Sequence, residues 1–169
     1  MDRDGRTNPD VPTEDPFASL IGIATKLGAI RHPEELIRCL DQELRRLIVF
    51  DYLSLYLESV LGEGPSWHVL DVDGRSVLTP AIDTPIEGPI GSWVLEHQIP
   101  YSIPAVEGGP CFAEFEDEVA SHGVASMVAV PLTTVRRRLG TLAVASRSPG
   151  AYGEGERRLL SHVGSFVVL

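Results

Sequence analysis

The side chains best suited to redox or metal chemistry in this 169-residue sequence are two cysteines and five histidines. Cys39 and Cys111 lie far apart and form no Cys-x-x-Cys pair, so we predict reduced thiols in a cytoplasmic protein. The histidines lack the His-x-x-x-His spacing that places two zinc ligands on one helix face. They are His32, His68, His97, His122 and His162. We predict no metal site and leave open only one built from Cys111, His97 and His122.

Motifs for phosphate binding and hydrolysis are also missing. The glycine-rich stretch 150–155 lacks the lysine and the spacing of a P-loop. No Ser-His-Asp order is visible, and no pair of carboxylates is placed for acid–base chemistry. The acidic run 114–118 is typical of a solvated helix face. We therefore predict that the protein is not an enzyme.

Arg136, Arg137 and Arg138 stand between two apolar runs of a chain whose formal net charge is −10. Three arginines do not offset that charge, so we expect no contact with nucleic acid or an anionic membrane. We place the triplet at the tip of a hairpin, where its charges stay in water and discourage edge-to-edge pairing. A contact between this tip and another domain stays open.

The elements that position these side chains follow from periodicity. Helices are expected at 17–30, from Pro33 through Leu47, at 90–97, at 112–121 with Gly123 as the left-handed cap, and from Glu154 onward. Strands are expected at 51–58, 67–72, 101–103, 124–132 and 139–146, and residues 74–91 are interpreted as a loop. The strands are mostly antiparallel and the helices sit apart from them, which indicates the α+β class.

Alternation along the strands predicts a sheet with two different faces. One face carries bulky aliphatic residues and suits helix packing. The other carries small residues, which leave room either for a ligand or for a covering segment that packs close, with Trp93, Phe112 and Phe115 as plugs. The candidate pocket residues are Ser54, Tyr56, Trp93, Ile103, Cys111, Phe112, Phe115, Met127, Ala129, Thr141 and Ala143. We see no arginine clamp among them.

Several motifs together resemble one known family. They are residues 50–57 (FDYLSLYL), 91–100 (GSWVLEHQIP), 112–115 (FAEF), 122–134 (HGVASMVAVPLTT), 138–143 (RLGTLA) and 148–152 (SPGAY). The chain resembles a GAF domain, the small-molecule sensor module of many bacterial regulators, over residues 17–169. More narrowly, it is similar to the sensory domains of sigma-54-dependent activators of the formate hydrogen-lyase activator type.

The resemblance implies an antiparallel sheet of about six strands, with the terminal helices on one face and loops and short helices over the other. It implies a small-molecule ligand, a homodimer, and downstream ATPase and DNA-binding modules. Bilin-carrying relatives use a cysteine followed by histidine, whereas Cys111 precedes Phe112. The signature of cyclic-nucleotide-binding relatives is also missing, so we expect no cofactor and an unidentified ligand.

Three functions follow from this resemblance. The first is a sensory module that controls a bacterial transcription activator, and the second is a ligand-free dimerisation module whose pocket is filled by its own side chains. The third is a free-methionine sulfoxide reductase of this fold, which would use Cys111.

The two ends of the sequence also carry expectations. We expect a disordered leader at 1–16 and a single domain at 17–169, whose apolar last helix continues into further protein. Apolar residues nearly encircle the final turn of that helix, more than one sheet face covers. We therefore predict a symmetric dimer with Val163, Phe166 and Val167 at its interface.

Overall fold

The computed structural model describes residues 33–58, 67–72, 75–80, 88–104, 112–134 and 138–167. The helices within these ranges are α1 (Pro33–Leu44), α2 (Gly88–His97), α3 (Ala113–Ser121) and α4 (Glu154–Val167). The strands are β1 (Tyr52–Leu57), β2 (Trp67–Val72), β3 (Arg75–Pro80), β4 (Tyr101–Ile103), β5 (Ser126–Thr133) and β6 (Arg138–Ser146). The predicted leader and first helix lie outside the described residues. No helix in the described ranges is long and apolar enough to cross a membrane.

All six strands form one antiparallel sheet in the order β3-β2-β1-β6-β5-β4. This confirms the predicted α+β class and the sheet of about six strands. The register pairs Ser54 with Ala143, and Ala143 with Ala129. Because side chains directly across a ladder point to the same face, three neighbouring strands bring their small residues together.

The predicted loop at 74–91 is wrong over 75–80, where β3 pairs with β2 at the edge of the sheet. Val72 pairs with Arg75, which leaves only residues 73 and 74, Asp-Gly, between the strands. Asp-Gly is a favoured dipeptide for such two-residue hairpins. Pro80 argued for a loop, but a proline at an edge strand need not remove a ladder hydrogen bond.

The bulky face of the sheet forms the main core, as the alternation predicts. Leu40 and Leu44 of α1 and Leu160 and Val163 of α4 are fully buried against it. The strand residues of this core are Leu53, Leu55, Val128, Val130, Leu132, Leu142 and Val144. Cys39 packs at its margin.

The burial of side chains on helix α4 bears on the predicted dimer interface. Val163 is fully buried in the core of its own chain and Phe166 packs against that core, while the side chain of Val167 lies outside the described part. The exposed side of α4 carries Arg158, His162 and Ser165, all polar. Val163 is thus not available to a partner, and the dimer stays a prediction that concerns the region around Phe166.

Gly123 ends α3 in the left-handed conformation that the sequence predicts, with φ 77° and its N–H donating to the Ala120 carbonyl at 2.9 Å. A Cβ there would meet nothing within 4 Å. We therefore expect Gly123→Ala to cost only the backbone strain, about 1 kcal/mol of unfolding free energy. Urea denaturation measures this, with Gly155→Ala as a control that should not be destabilised. A loss above about 3 kcal/mol would contradict a purely local effect.

Candidate ligand-binding face

The candidate site is the face of small residues opposite the main core. Ser54 and Thr141 are each 2% exposed, and Ala129 and Ala143 are buried beside them. Across β5, β6 and β1 the register forms two rows, Ala129–Ala143–Ser54 and Pro131–Thr141–Tyr56. The structure thus brings together the predicted residues that lie on these three strands, including Met127, which pairs with Ala145.

Helix α2 covers the β5–β6 side of this face. Ile90 and Val94 are buried in one cluster with Ala129 and Ala143. At Gly91 a Cβ would lie 3.4 Å from Thr141 Oγ1, so the helix backbone rests almost directly on β6. Small residues are needed here because they let the helix approach the sheet closely. The sequence analysis left open whether a ligand or a close-packed covering segment occupies the space above the small residues. On the β5–β6 side, the covering segment packs close to the sheet.

An aromatic cluster of Trp93, Tyr101 and Phe112 extends the cover beyond α2. The ring centroids of Trp93 lie 5.7 Å from Tyr101 and 5.5 Å from Phe112, and the Tyr101 and Phe112 rings stack at 6.1 Å. The Phe112 N–H donates to Tyr101 Oη at 3.1 Å. The predicted Trp93, Phe112 and Ile103 lie in or against this part of the core. Cys111 and the Phe115 side chain lie outside the described part.

Tyr101 is a core residue of the cover that the sequence analysis missed. Its side chain is fully buried, and it holds the residue before α3 through its hydroxyl. A three-residue strand carries too little alternation to reveal which side chain anchors it. The available signal was an aromatic residue at the start of a strand, which favours a packed position.

The two histidines that border the segment covering this face, His97 and His122, contact residues close to them in the sequence. His97 stacks on Trp93 at 4.5 Å, and its Nδ1 lies 3.0 Å from the Trp93 carbonyl oxygen. Because a carbonyl only accepts, Nδ1 carries the proton. His122 Nδ1 lies 3.2 Å from Ser121 Oγ. Among the described residues no group of three or more His, Cys, Asp or Glu side chains could hold a metal ion.

Gln98 fixes the C-terminal end of α2 to the sheet. Its φ is 58°, an unusual value for a residue with a side chain, and its backbone N–H donates to the Val94 carbonyl. The side-chain Nε2 donates to the Leu95 carbonyl at 2.6 Å, and Thr133 Oγ1 donates to Oε1. These contacts cap the helix and tie it to the end of β5.

Arg147, which the sequence analysis did not assign to the site, places a positive charge beside Tyr52 at the edge of the face. Its guanidinium lies 4.9 Å from the centroid of the Tyr52 ring, a cation–π contact. Asp51 Oδ2 accepts from the Arg147 N–H at 2.7 Å and from Ser146 Oγ at 3.1 Å. Position 147 follows β6, so strand alternation alone did not assign it to a face.

Tyr152, beside this cluster, has a pKa raised above its ordinary value by burial and then by the charge of Asp51. A raised pKa means that the folded state holds the proton more tightly than the unfolded state does. The resulting stabilisation is complete below the unfolded pKa of about 10 and is lost as pH rises toward the folded value.

We therefore expect Tyr152→Phe to lose stability less steeply than the parent above about pH 10. Urea denaturation at a series of alkaline pH values measures the two slopes. Equal slopes would contradict the raised pKa of Tyr152.

Comparisons with known proteins agree with this architecture. A family model described as GAF domain matches residues 32–169. The chromophore-binding domain of a Stigmatella aurantiaca bacteriophytochrome superposes with TM-score 0.66 at 17% identity, over 96% of this chain and 62% of that one. The phycocyanobilin-bound GAF domain from a cyanobacterial phytochrome gives TM-score 0.65 at 15% identity, over 92% and 93% of the two chains.

The GAF domain from Acinetobacter phosphoenolpyruvate-protein phosphotransferase gives TM-score 0.60 at 14% identity, over 92% of both chains. No curated protein matches the chain. The chain spans about three-fifths of the bacteriophytochrome domain, 62% of its length. At these identities the structural likeness establishes the fold alone.

Proposed function

Because the chain belongs to the GAF domain family, whose members include sensory small-molecule-binding modules, we propose that it senses a small molecule on its face of small residues. One observation carries this proposal. On β1, Ser54 continues the row of small residues from β6, and the hydroxyl-bearing side chains of Tyr52 and Tyr56 flank it. Helix α2 packs mainly on β5 and β6. A surface of this mixed polarity suits a ligand that is partly apolar.

The proposal extends to a regulatory output. The sequence motifs resemble sensory domains of sigma-54-dependent activators, and we infer that ligand binding controls a transcription activator of that kind through a homodimer. A ligand shifts such an equilibrium only by its different affinities for the two states. Two of the three structural neighbours described above belong to phytochromes, and one of these is described as bound to phycocyanobilin. For this chain we propose a non-covalent ligand, because Cys111 precedes Phe112 rather than histidine.

A second candidate is a dimerisation module whose pocket is filled from within. The contact of Gly91 with Thr141 and the cluster of Trp93, Tyr101 and Phe112 favour it on the β5–β6 side. The sensory module and the self-filled dimerisation module therefore differ in what covers the β1 side of the face, which is a bound ligand in the first and the chain's own side chains in the second.

A thermal-shift screen of small acids, amino acids and nucleotides tests the sensing function, because a ligand specific for the folded state raises the Tm by mass action. Ala143→Val adds bulk in the middle of the face, and Val144→Ile adds bulk at the next position on the opposite face. A ligand of this site should lose its Tm shift with Ala143→Val and keep it with Val144→Ile. A library with no hit, or shifts lost equally in both variants, would favour the self-filled module.

A further inference from the structure

The backbone around Arg147 is held by a chain of hydrogen bonds at the end of β6. Asp51 Oδ2 accepts from the Arg147 N–H at 2.7 Å and from Ser146 Oγ at 3.1 Å. Ser146 Oγ accepts from the Ser148 N–H at 3.1 Å, and Ser126 Oγ donates to the Ser148 carbonyl at 2.7 Å. Because Ser126 and Ser146 are buried, water competes little for these bonds. The residues before and after Arg147 are thus fixed, which sets where its side chain begins.

The Arg147 side chain lies at the rim of the face of small residues. Position 147 comes two residues after Ala145, which pairs with Tyr52 across β6 and β1. The guanidinium lies 4.9 Å from the centroid of the Tyr52 ring, and that ring packs against the cluster that contains Ala143 and Ala145. The Arg147 side chain is 48% exposed, which leaves it accessible to a small molecule. A guanidinium already laid on an aromatic ring loses less conformational freedom when it binds an anion.

The ion pair between the Arg147 guanidinium and Asp51 is loose. Asp51 Oδ1 lies 3.7 Å from Arg147 Nη1, beyond the roughly 2.7–2.9 Å of a hydrogen bond between charged groups. Half-exposed pairs of this kind contribute little, so a ligand carboxylate in direct contact would bind the guanidinium more strongly than Oδ1 does. Asp51 also repels any anion beside it, and a phosphate carries up to about two charges. A single carboxylate therefore suits this site better than a phosphate.

We propose that the ligand of this face is a carboxylic acid with an apolar body, and that Arg147 binds its carboxylate at the rim. Neighbouring rows of side chains on one face of a sheet are about 7 Å apart along the strands. A body of one ring therefore reaches from the Tyr52–Ala145 row to the Ser54–Ala143 row. The ligand class rests on the proposed function, because it requires a small molecule on this face.

Pairs of acids and their primary amides test this assignment, because an amide has nearly the shape of the acid without its charge. The probes are benzoate, phenylacetate and cyclohexylacetate with benzamide, phenylacetamide and cyclohexylacetamide, and NMR chemical-shift titration at neutral pH gives each Kd. In the parent protein we expect each acid to bind at least about fivefold more tightly than its amide, since its hydrogen bonds to Arg147 are charge-assisted. Arg147→Met should raise the Kd of the acid to that of the amide and leave the Kd of the amide unchanged. Arg158→Met, which removes an exposed arginine that pairs with Glu154, should keep the preference of the parent.

Ala143→Val separates a failure of this assignment from a failure of the proposed function. If acids and amides bind equally and Ala143→Val abolishes both, the face binds small molecules without selecting acids, and only the assignment is overturned. An acid preference that persists in Arg147→Met, or acid binding that survives in Ala143→Val, also overturns it. Arg147→Lys keeps the positive charge and should retain part of the preference, so equal behaviour of the Lys and Met variants counts against the assignment. Binding by none of the six compounds overturns it as well, whereas the proposed function is decided by the broader thermal-shift screen.

Discussion

Replacing Gly140 with alanine is expected to lower the free energy of unfolding by about 3 kcal/mol or more. Gly140 pairs with Leu57 on one side and Leu132 on the other, in the middle of the sheet. A Cβ there would overlap the Tyr56 carbonyl oxygen and come within 2.8 Å of its carbonyl carbon and 3.1 Å of the Leu57 Cα. All of these atoms belong to backbone, so no side-chain rotation relieves the overlap and β1 must separate from β6.

Gly155→Ala is the matched control for this substitution. Gly155 lies in the first turn of α4, where a Cβ meets nothing within 4 Å. Alanine favours a helix, so we expect no loss there or a gain of some tenths of a kcal/mol. Urea denaturation of the three proteins gives the comparison, and equal midpoints would show that β1 and β6 do not approach as closely as described.

The two faces of the sheet could be predicted because bulky and small side chains alternate along each strand, and this alternation is visible in the sequence. It also decides which side chains face the core. Leu53, Leu55, Leu142 and Val144 all lie in the main core, as their spacing indicates. Once one face is buried, a slip of one residue would turn every side chain to the wrong side, so pattern and register support each other. The same logic placed Ser54, Ala129, Thr141 and Ala143 together.

The misses share a physical cause, because each depends on contacts that local pattern does not encode. Residues 75–80 become a strand because an edge is available beside β2, and an edge accepts Pro80. Arg147 follows the last strand, so strand alternation does not predict that its guanidinium lies over the Tyr52 ring. Val163 was expected at a partner's surface, yet close packing of α4 on β5 at Gly164 buries it in its own chain.

Tyr101→Ala is expected to lower the free energy of unfolding by about 3–5 kcal/mol, the range for deleting a buried aromatic side chain. The Tyr101 ring is fully buried, contacts Trp93 and Phe112, and accepts the Phe112 N–H through its hydroxyl. Its loss removes the contact that joins β4, α2 and the start of α3. Tyr101→Phe keeps the ring and should cost only about 1–2 kcal/mol, because the Phe112 N–H loses its acceptor.

Fluorescence distinguishes a loosened cover from a general loss of stability. The chain has two tryptophans, so a Trp67→Phe background leaves Trp93 as the reporter. Tyr101→Ala should shift the Trp93 emission to longer wavelength, because an indole that loses a ring neighbour becomes more hydrated. Leu53→Ala, in the main core on the opposite face, should cost about 2–5 kcal/mol without that shift. An unchanged emission in Tyr101→Ala, or an equal shift in both variants, would mean that Tyr101 does not hold the cover on the sheet.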